Sequence, residues 1–289
     1  MKIVFIVNPK SGNGKSVEAI KAIKEYFNSL NIEPIIIYTK NVLEATMYSN
    51  YYASSDTIIY SVGGDGTLNG VVNGISNKDC MLSVVPTGTG NDFYKSLKGF
   101  NNDKVDLGKV NNRYFINIAS IGLDADIANY ANTLKEQLSS SNYAYIKGIF
   151  KNYFKYKPYN ININGINKNI TIFAICNGKY YGNGFKIAPD AILNNGTFDI
   201  VSASSLNKIT LIPLLLKLIR VKHLSDKHVE YYKTDKLCIE SDILLNCNID
   251  GEIIKNNKFD FSIEKEKMRI DNNDMFNVNK ILKEKKLIK

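Results

Sequence analysis

Three glycine-bearing segments in the first hundred residues hold the residue types that cradle phosphate. They are Asn8-Pro9-Lys10-Ser11-Gly12-Asn13-Gly14, Gly63-Gly64-Asp65-Gly66-Thr67-Leu68-Asn69 and Pro86-Thr87-Gly88-Thr89-Gly90-Asn91-Asp92. Glycine lets backbone N–H groups close on an anion without a Cβ in the way, and a helix that starts at such a loop adds the positive end of its dipole. Late in the chain, Asp250-Gly251-Glu252 sets two carboxylates on either side of a glycine, where one tight turn can aim both at one cleft. Grouped phosphate-binding loops and a carboxylate that takes a hydroxyl proton are the working parts of phosphoryl transfer. Any one of these loops alone reads equally well as turn chemistry, and Asp-Gly is a common hairpin turn. Three loops at coordinated positions point to a polyphosphate site.

Familiar alternatives fail on spacing. Gly14-Lys15-Ser16 ends like a P-loop, but the first glycine of that motif would fall on Pro9. A dinucleotide fingerprint would need glycine at positions 17, 69 or 93, which hold Val17, Asn69 and Phe93. Cys80, Cys176, Cys238 and Cys247 form no C-x-x-C pair, which argues against zinc and redox motifs and for reduced, partly buried thiols in a cytosolic protein. His223 and His228 match no metal or triad arrangement and are expected at the surface.

The elements that must carry these loops follow from the apolar pattern. Ile3–Val7, Ile35–Tyr38, Thr57–Val62 and Met81–Val85 read as strands apolar throughout, alternating with helical patterns from Ser16 and from Val42 to Tyr52. That order predicts a doubly wound parallel sheet with its ligand at the carboxyl ends of the strands. Beyond residue 108, period-two runs and Asn-Gly turns predict a mostly antiparallel β-sandwich domain: a hairpin around Asn164-Gly165, then Thr197–Val201, Leu237–Glu240, Ile243–Ile249 and Lys258–Glu264. Two helical insertions are expected in it, near Tyr130–Tyr156 and Leu206–Lys222. The domains are expected at 1–110 and 111–289, with a nucleotide cleft between them and a C-terminal tail that can return to the first domain. A chain of 289 residues suits two domains, and 44% hydrophobic with 22% charged residues excludes wholesale disorder. The net charge of +9 favours anionic partners without choosing among them. Neither a signal peptide nor a membrane span is expected, since Ile209–Val221 is interrupted by Pro213, Lys217 and Arg220 and is too short.

The motifs, taken in order, resemble the diacylglycerol kinase catalytic domain family, which includes bacterial lipid kinases and sphingosine kinases. The matching residues are Asn8-Pro9-x-Ser11-Gly12, Gly63-Gly64-Asp65-Gly66-Thr67-x-Asn69, Pro86-x-Gly88-Thr89-x-Asn91-Asp92-Phe93 and Asp250-Gly251-Glu252. Asp106-Leu107-Gly108, Ala144-Tyr145 before Lys147-Gly148, and Ala188-Pro189-Asp190-Ala191 are further landmarks, and the resemblance runs from residue 1 to about 270. It implies that Asn8, Pro9, Lys10, Ser11, Gly12, Thr39, Gly63, Gly64, Asp65, Gly66, Thr67, Leu68, Asn69 and Thr89 hold ATP. It implies catalysis by Glu252 with Asp250, and an acidic network of Asp65, Asp92 and Asp106 around a catalytic Mg²⁺. It also implies a structural Mg²⁺ held by Ile192, Asn195 and Thr197, although Asn195 stands where the family has an aspartate. Lys95 replaces an arginine common among relatives, keeping charge but not fork geometry.

The expected function is therefore that of an ATP-dependent lipid kinase acting on diacylglycerol or a related lipid. It would be cytoplasmic and bound peripherally where the lipid substrate lies in a membrane surface, with no stable nucleic-acid partner and with homodimerisation open. Lys147, Lys151 and Lys155 could form a docking face for anionic lipid or simply a solvated lysine face. The C-terminal Lys280, Lys283, Lys285, Lys286 and Lys289 are ambiguous in the same way. An NAD kinase-like enzyme is one alternative, since it shares the Gly-Gly-Asp-Gly-Thr core. Another is a nonenzymatic nucleotide- or nucleic-acid-binding regulator that uses the positive charge.

Overall fold

The computed structural model describes residues 1–137, 157–204 and 206–288. The stretch Tyr143–Tyr156, with Lys147, Lys151 and Lys155, and the landmarks Ala144-Tyr145 and Lys147-Gly148 lie outside the described residues, as does Lys289.

The first half alternates β1 (Lys2–Val7), α1 (Lys15–Ser29), β2 (Ile35–Tyr38), α2 (Val42–Tyr52), β3 (Thr57–Gly63), α3 (Asp65–Ile75), β4 (Met81–Pro86) and α4 (Asp92–Ser96). The strands pair in parallel in the order β2-β1-β3-β4. β1, β3 and β4 are mostly apolar because both of their faces are covered. Val4 and Ile6 of β1 pack with Leu68, Val71 and Val72 of α3, while Phe5 and Val7 pack with Ile20, Ile23 and Phe27 of α1.

The second half runs β5 (Lys104–Val110), β6 (Arg113–Phe115), β7 (Ile118–Gly122), α5 (Leu123–Gln137), β8 (Tyr159–Ile163), β9 (Ile166–Cys176), β10 (Tyr180–Tyr181) and β11 (Phe185–Lys186). It continues with β12 (Phe198–Ser204), α6 (Lys208–Ile219), β13 (Val229–Thr234), β14 (Lys236–Ile249), β15 (Glu252–Ile270) and α7 (Val278–Glu284). Its strands pair antiparallel over a core built on Phe115, Phe173, Phe198, Phe259 and Phe261. Asn164 (φ 49°) and Gly165 (φ 86°) make the two-residue turn between β8 and β9, with the left-handed backbone that Asn-Gly favours.

Two expected strands, Leu237–Glu240 and Ile243–Ile249, are one strand with a register shift between Glu240 and Leu245. The strand expected at Lys258–Glu264 is only the middle of the 19-residue β15. β15 begins in the second domain and ends in parallel pairing with β4 at Arg269 and Ile270, so among the described residues both domains share one sheet. The chain then returns to the first domain, where Val278, Leu282 and Ile288 of the C-terminal segment join the core around Phe27.

Candidate active site

The three glycine loops meet at the carboxyl ends of β1, β3 and β4. A Cβ on Gly12 would stand 2.1 Å from the Thr87 carbonyl oxygen, and one on Gly88 would stand 2.4 Å from Gly64 Cα. Only glycine permits backbones to approach this closely. The Thr87 and Gly88 N–H groups both donate to the Gly63 carbonyl, and Asn8 N–H donates to Val62. Ser16 clamps the first loop by donating its hydroxyl to the Asn8 carbonyl at 2.6 Å. Thr39 sits beside it, buried, with its hydroxyl given to the Val7 carbonyl. Pro9, Lys10, Ser11, Gly64, Gly66 and Thr89 keep exposed or partly exposed surface at this rim. The side chains of Thr67, Leu68 and Asn69 do not, because α3 turns them inward. Asn69 donates its amide to Asp250 and to the Tyr114 carbonyl, each at 3.3 Å, so its side chain joins the two domains and does not face a nucleotide.

Asp65 and Asp92 stand side by side at this rim. Asp65 Oδ1 accepts from the N–H groups of Asp92 and Phe93 at the start of α4, at 2.8 and 3.3 Å. Burial first, then the neighbouring Asp92 charge, pushes the Asp65 carboxyl up to about 7. Asp92 pairs with Lys95 at 3.0 Å and accepts from the Asn183 N–H at 2.9 Å. Two adjacent acids that share the single Lys95 cation suit the divalent ion that accompanies nucleotide phosphates, and hard carboxylate oxygens are its preferred ligands. Among the described residues, no cluster of three or more His, Cys, Asp or Glu forms a cage by itself.

Glu252 comes to the same place from the other domain. A Cβ on Gly66 would lie 3.4 Å from Glu252 Oε1, so this partly exposed carboxylate faces the first turn of α3, next to Asp65. Asp250 does not share that outlook, which corrects the expectation of a second catalytic acid. With φ 49° at Asp250 and 99° at Gly251, the pair makes a tight hairpin turn that points Asp250 into the protein. There it accepts from the N–H groups of Ile116, Asn117 and Ile118 at 2.8, 3.1 and 2.9 Å. Burial pushes its carboxyl up, against these donors and Asn69, which pull it down.

Asp106 also departs from expectation. Both of its oxygens are taken by backbone, from Gly196 N–H and Glu266 N–H at 2.7 Å each, so it ties the 192–197 turn to β15 and does not extend the Asp65–Asp92 pair. The 192–197 turn does not fit a resident metal ion. Asn195 Oδ1 is occupied by the Thr197 N–H and hydroxyl at 3.0 and 3.1 Å, and Ile192 is half exposed. Lys265 lies over Gly196, its Nζ 3.0 Å from where a Cβ would stand, so a cation is already beside a turn that has lost its acid. No step is assigned to an ion there.

One site residue escaped the sequence reading. Asn183, between Gly182 and Gly184, belongs to a run of three left-handed residues that brings its N–H to Asp92, and the Gly-Asn-Gly triplet is the signal for it. Outside the rim, Asp124, two residues after the strand-ending Gly122 and buried in the first turn of α5, is pushed by burial up to about 6. His223 is a further correction: it is buried, with Nε2 2.7 Å from the Ile187 carbonyl, and burial holds its pKa below the ordinary value. His228 is part-exposed beside Asp226.

Two family models match the chain: the diacylglycerol kinase catalytic domain over residues 2–118, and the YegS C-terminal NAD kinase beta sandwich-like domain over 117–270. The diacylglycerol kinase of Bacillus subtilis (strain 168) is 29% identical over 273 residues, covering 86% of this chain and 88% of the relative. That of Staphylococcus aureus (strain JH9) is 31% identical over 228 residues, covering 72% and 70%. A crystal structure of a diacylglycerol kinase from Bacillus anthracis str. Sterne aligns with TM-score 0.66 at 20% identity, over 93% of this chain and 96% of that one. A second crystal structure from the same strain aligns with TM-score 0.72 at 23% identity and the same coverage. At these identities the structural likeness speaks for the fold.

Proposed function

The chain belongs to the diacylglycerol kinase family, and on that premise we propose that it is an ATP-dependent lipid kinase. It transfers the γ-phosphoryl group to the hydroxyl of diacylglycerol or a related lipid. The observation that carries this reading is Glu252 Oε1 reaching Gly66 in the first turn of α3, the residue after Asp65, on the domain that carries the interlocked glycine loops.

In this reading ATP lies between the domains. Its phosphates lie along the loops at Asn8–Gly12, Gly63–Gly66 and Thr89, where the starts of α1 and α3 favour negative charge. Asp65 and Asp92 would hold the Mg²⁺ that travels with the nucleotide, and that ion supplies neutralisation of the charge on the transferred group. Glu252 accepts the proton of the attacking lipid hydroxyl. Asp250 is a positioning residue that locks the turn from which Glu252 projects. The second domain presents the lipid from a membrane surface.

Transfer of labelled phosphate from Mg²⁺-ATP to diacylglycerol, monoacylglycerol and sphingoid bases in mixed micelles tests the proposal, with NAD as a parallel acceptor. Labelled lipid from the wild type and none from Glu252→Ala is the expected result. Transfer to NAD alone would move the protein to the NAD kinase reading. Full activity in Glu252→Ala would remove Glu252 as the base.

A further inference from the structure

Helix α6 is apolar around most of its circumference, yet among the described residues only one side is covered. Leu211 and Leu214 pack against Leu123, Ala203 and Leu206, and Leu218 leans on the cluster of Ile187, Ala188 and Val201. On the opposite side Ile209 is 82% exposed, Ile212 50%, Leu216 50% and Ile219 60%. Their spacing of three or four residues makes one continuous stripe along the helix. A helix this apolar belongs either in a core or in lipid, and half of this one is in neither.

Charge around the helix selects the occupant. Residues 200–225 contain Lys208, Lys217, Arg220 and Lys222 and no Asp or Glu; Lys217 pairs with Asp226 at 2.7 Å, which leaves Arg220 and Lys222 as the cations at the end of the helix. Arg220 and Lys222 are exposed just past the last turn, next to exposed Val221. The helix is also fixed before any partner arrives: the Asn207 side chain accepts from the N–H groups of Ile209 and Thr210, and the Thr210 hydroxyl oxygen accepts from the Asn207 N–H. A preformed helix loses little conformational entropy on docking. Helix α2 provides the contrast. It exposes Leu43, Met47 and Tyr51, but residues 41–53 contain Glu44 and no cation.

We propose that α6 lies flat in the surface of an anionic lipid bilayer. Ile209, Ile212, Leu216 and Ile219 enter among the acyl chains, and Arg220 and Lys222 stay at the headgroups. This rests on the lipid kinase reading and names the part of the chain that brings the enzyme to its substrate.

The test is co-sedimentation of the full chain with vesicles of equimolar phosphatidylglycerol and phosphatidylcholine, without ATP. It compares wild type, Ile212→Asp/Leu216→Asp, and the control Leu43→Asp/Met47→Asp, all with matching thermal melts. The α6 pair is expected to weaken partitioning by about tenfold or more and the control by less than about twofold. The proposal is overturned if wild type does not sediment, if the α6 pair leaves binding untouched, or if both pairs weaken it equally. It is also overturned if light scattering without lipid finds a wild-type dimer that the α6 pair converts to monomer, since a second copy would then cover the face. Turnover of a water-soluble short-chain diacylglycerol separates the two readings. Its absence in every form sinks the kinase reading and leaves the vesicle result to judge α6, whereas retained turnover with lost vesicle binding supports both.

Discussion

Asp250 and Glu252 leave one tight turn on either side of Gly251, and their surroundings give them opposite duties. Asp250 is buried under three backbone N–H groups, and Glu252 stays partly open at the rim of α3. Glu252→Gln keeps the shape and loses the base, so phosphate transfer falls by about a hundredfold or more while the thermal midpoint is unchanged. Asp250→Asn keeps one acceptor oxygen and replaces the other with an N–H₂ group facing donors. A loss of about 1.5–3 kcal/mol is expected, read as a lower midpoint in a thermal melt. An unchanged midpoint would remove Asp250 as the anchor. Asp65 gives a pH signature. Its folded pKa of about 7 lies above the ordinary aspartate value of 3.8, so the folded state holds a proton that the unfolded state has lost between those values. Stability without Mg²⁺ therefore falls as pH rises from about 4 to about 7, and the full cost is present above that. Denaturant unfolding in chelator at pH 5 and pH 8 should show wild type weaker at the higher pH. Asp65→Asn should lose the Asp65 share of that fall, while buried Asp124 and Asp250 keep the remainder.

The elements act on the site by how closely their ends approach. Gly88→Ala would set a Cβ 2.4 Å from Gly64 Cα and force the β3 and β4 loops apart, at about 1–3 kcal/mol, with a raised KM for ATP. Gly165→Ala meets nothing within 4 Å and carries only the strain of φ 86°, so it should lose about 1–2 kcal/mol with kinetics unchanged. Equal kinetics in the two variants would show that the interlock does not shape the nucleotide site. Such elements differ in how far the chain's own residues announce them. Strands β1, β3 and β4 are legible because burial on both faces leaves mostly apolar runs, and the Asn164-Gly165 hairpin is legible because its turn demands left-handed residues. The length of β15 is not, since its polar stretch at Asn256 and Asn257 looks like a loop until pairing with β14 carries it through. The duties of Asp106 and Asp250 were hidden because their partners are brought by folding from far along the chain: Glu266 for Asp106, and Ile116 to Ile118 for Asp250. Leu206–Lys222 reads as a helix from its pattern, but which of its apolar faces stays bare depends on what α5 and β12 leave uncovered.

Across the whole molecule, catalytic geometry depends on α3 of the first domain holding still against the turn that carries Glu252. Besides the shared sheet, a latch does this. Asn73 of α3 donates to the Tyr114 carbonyl and accepts from the Tyr114 N–H, both at 2.9 Å, so a side-chain amide pairs with β6 as a neighbouring strand would. Four residues earlier on the same helix, Asn69 reaches Asp250 itself. Asn73→Leu leaves the volume and removes the amide, stranding the Tyr114 N–H. A buried donor without a partner costs about 1–3 kcal/mol. Because β15 joins both domains and α7 returns to the first through Asn279 and the Val84 carbonyl, that loss should lower one cooperative transition and not split it. Calorimetry of Asn73→Leu should therefore show a single peak at reduced temperature, and the loosened fit of α3 against β6 should lower kcat more than it raises KM. Two separate peaks would mean that the domains unfold independently, and the position of Glu252 would then need another explanation than a rigidly coupled pair of domains.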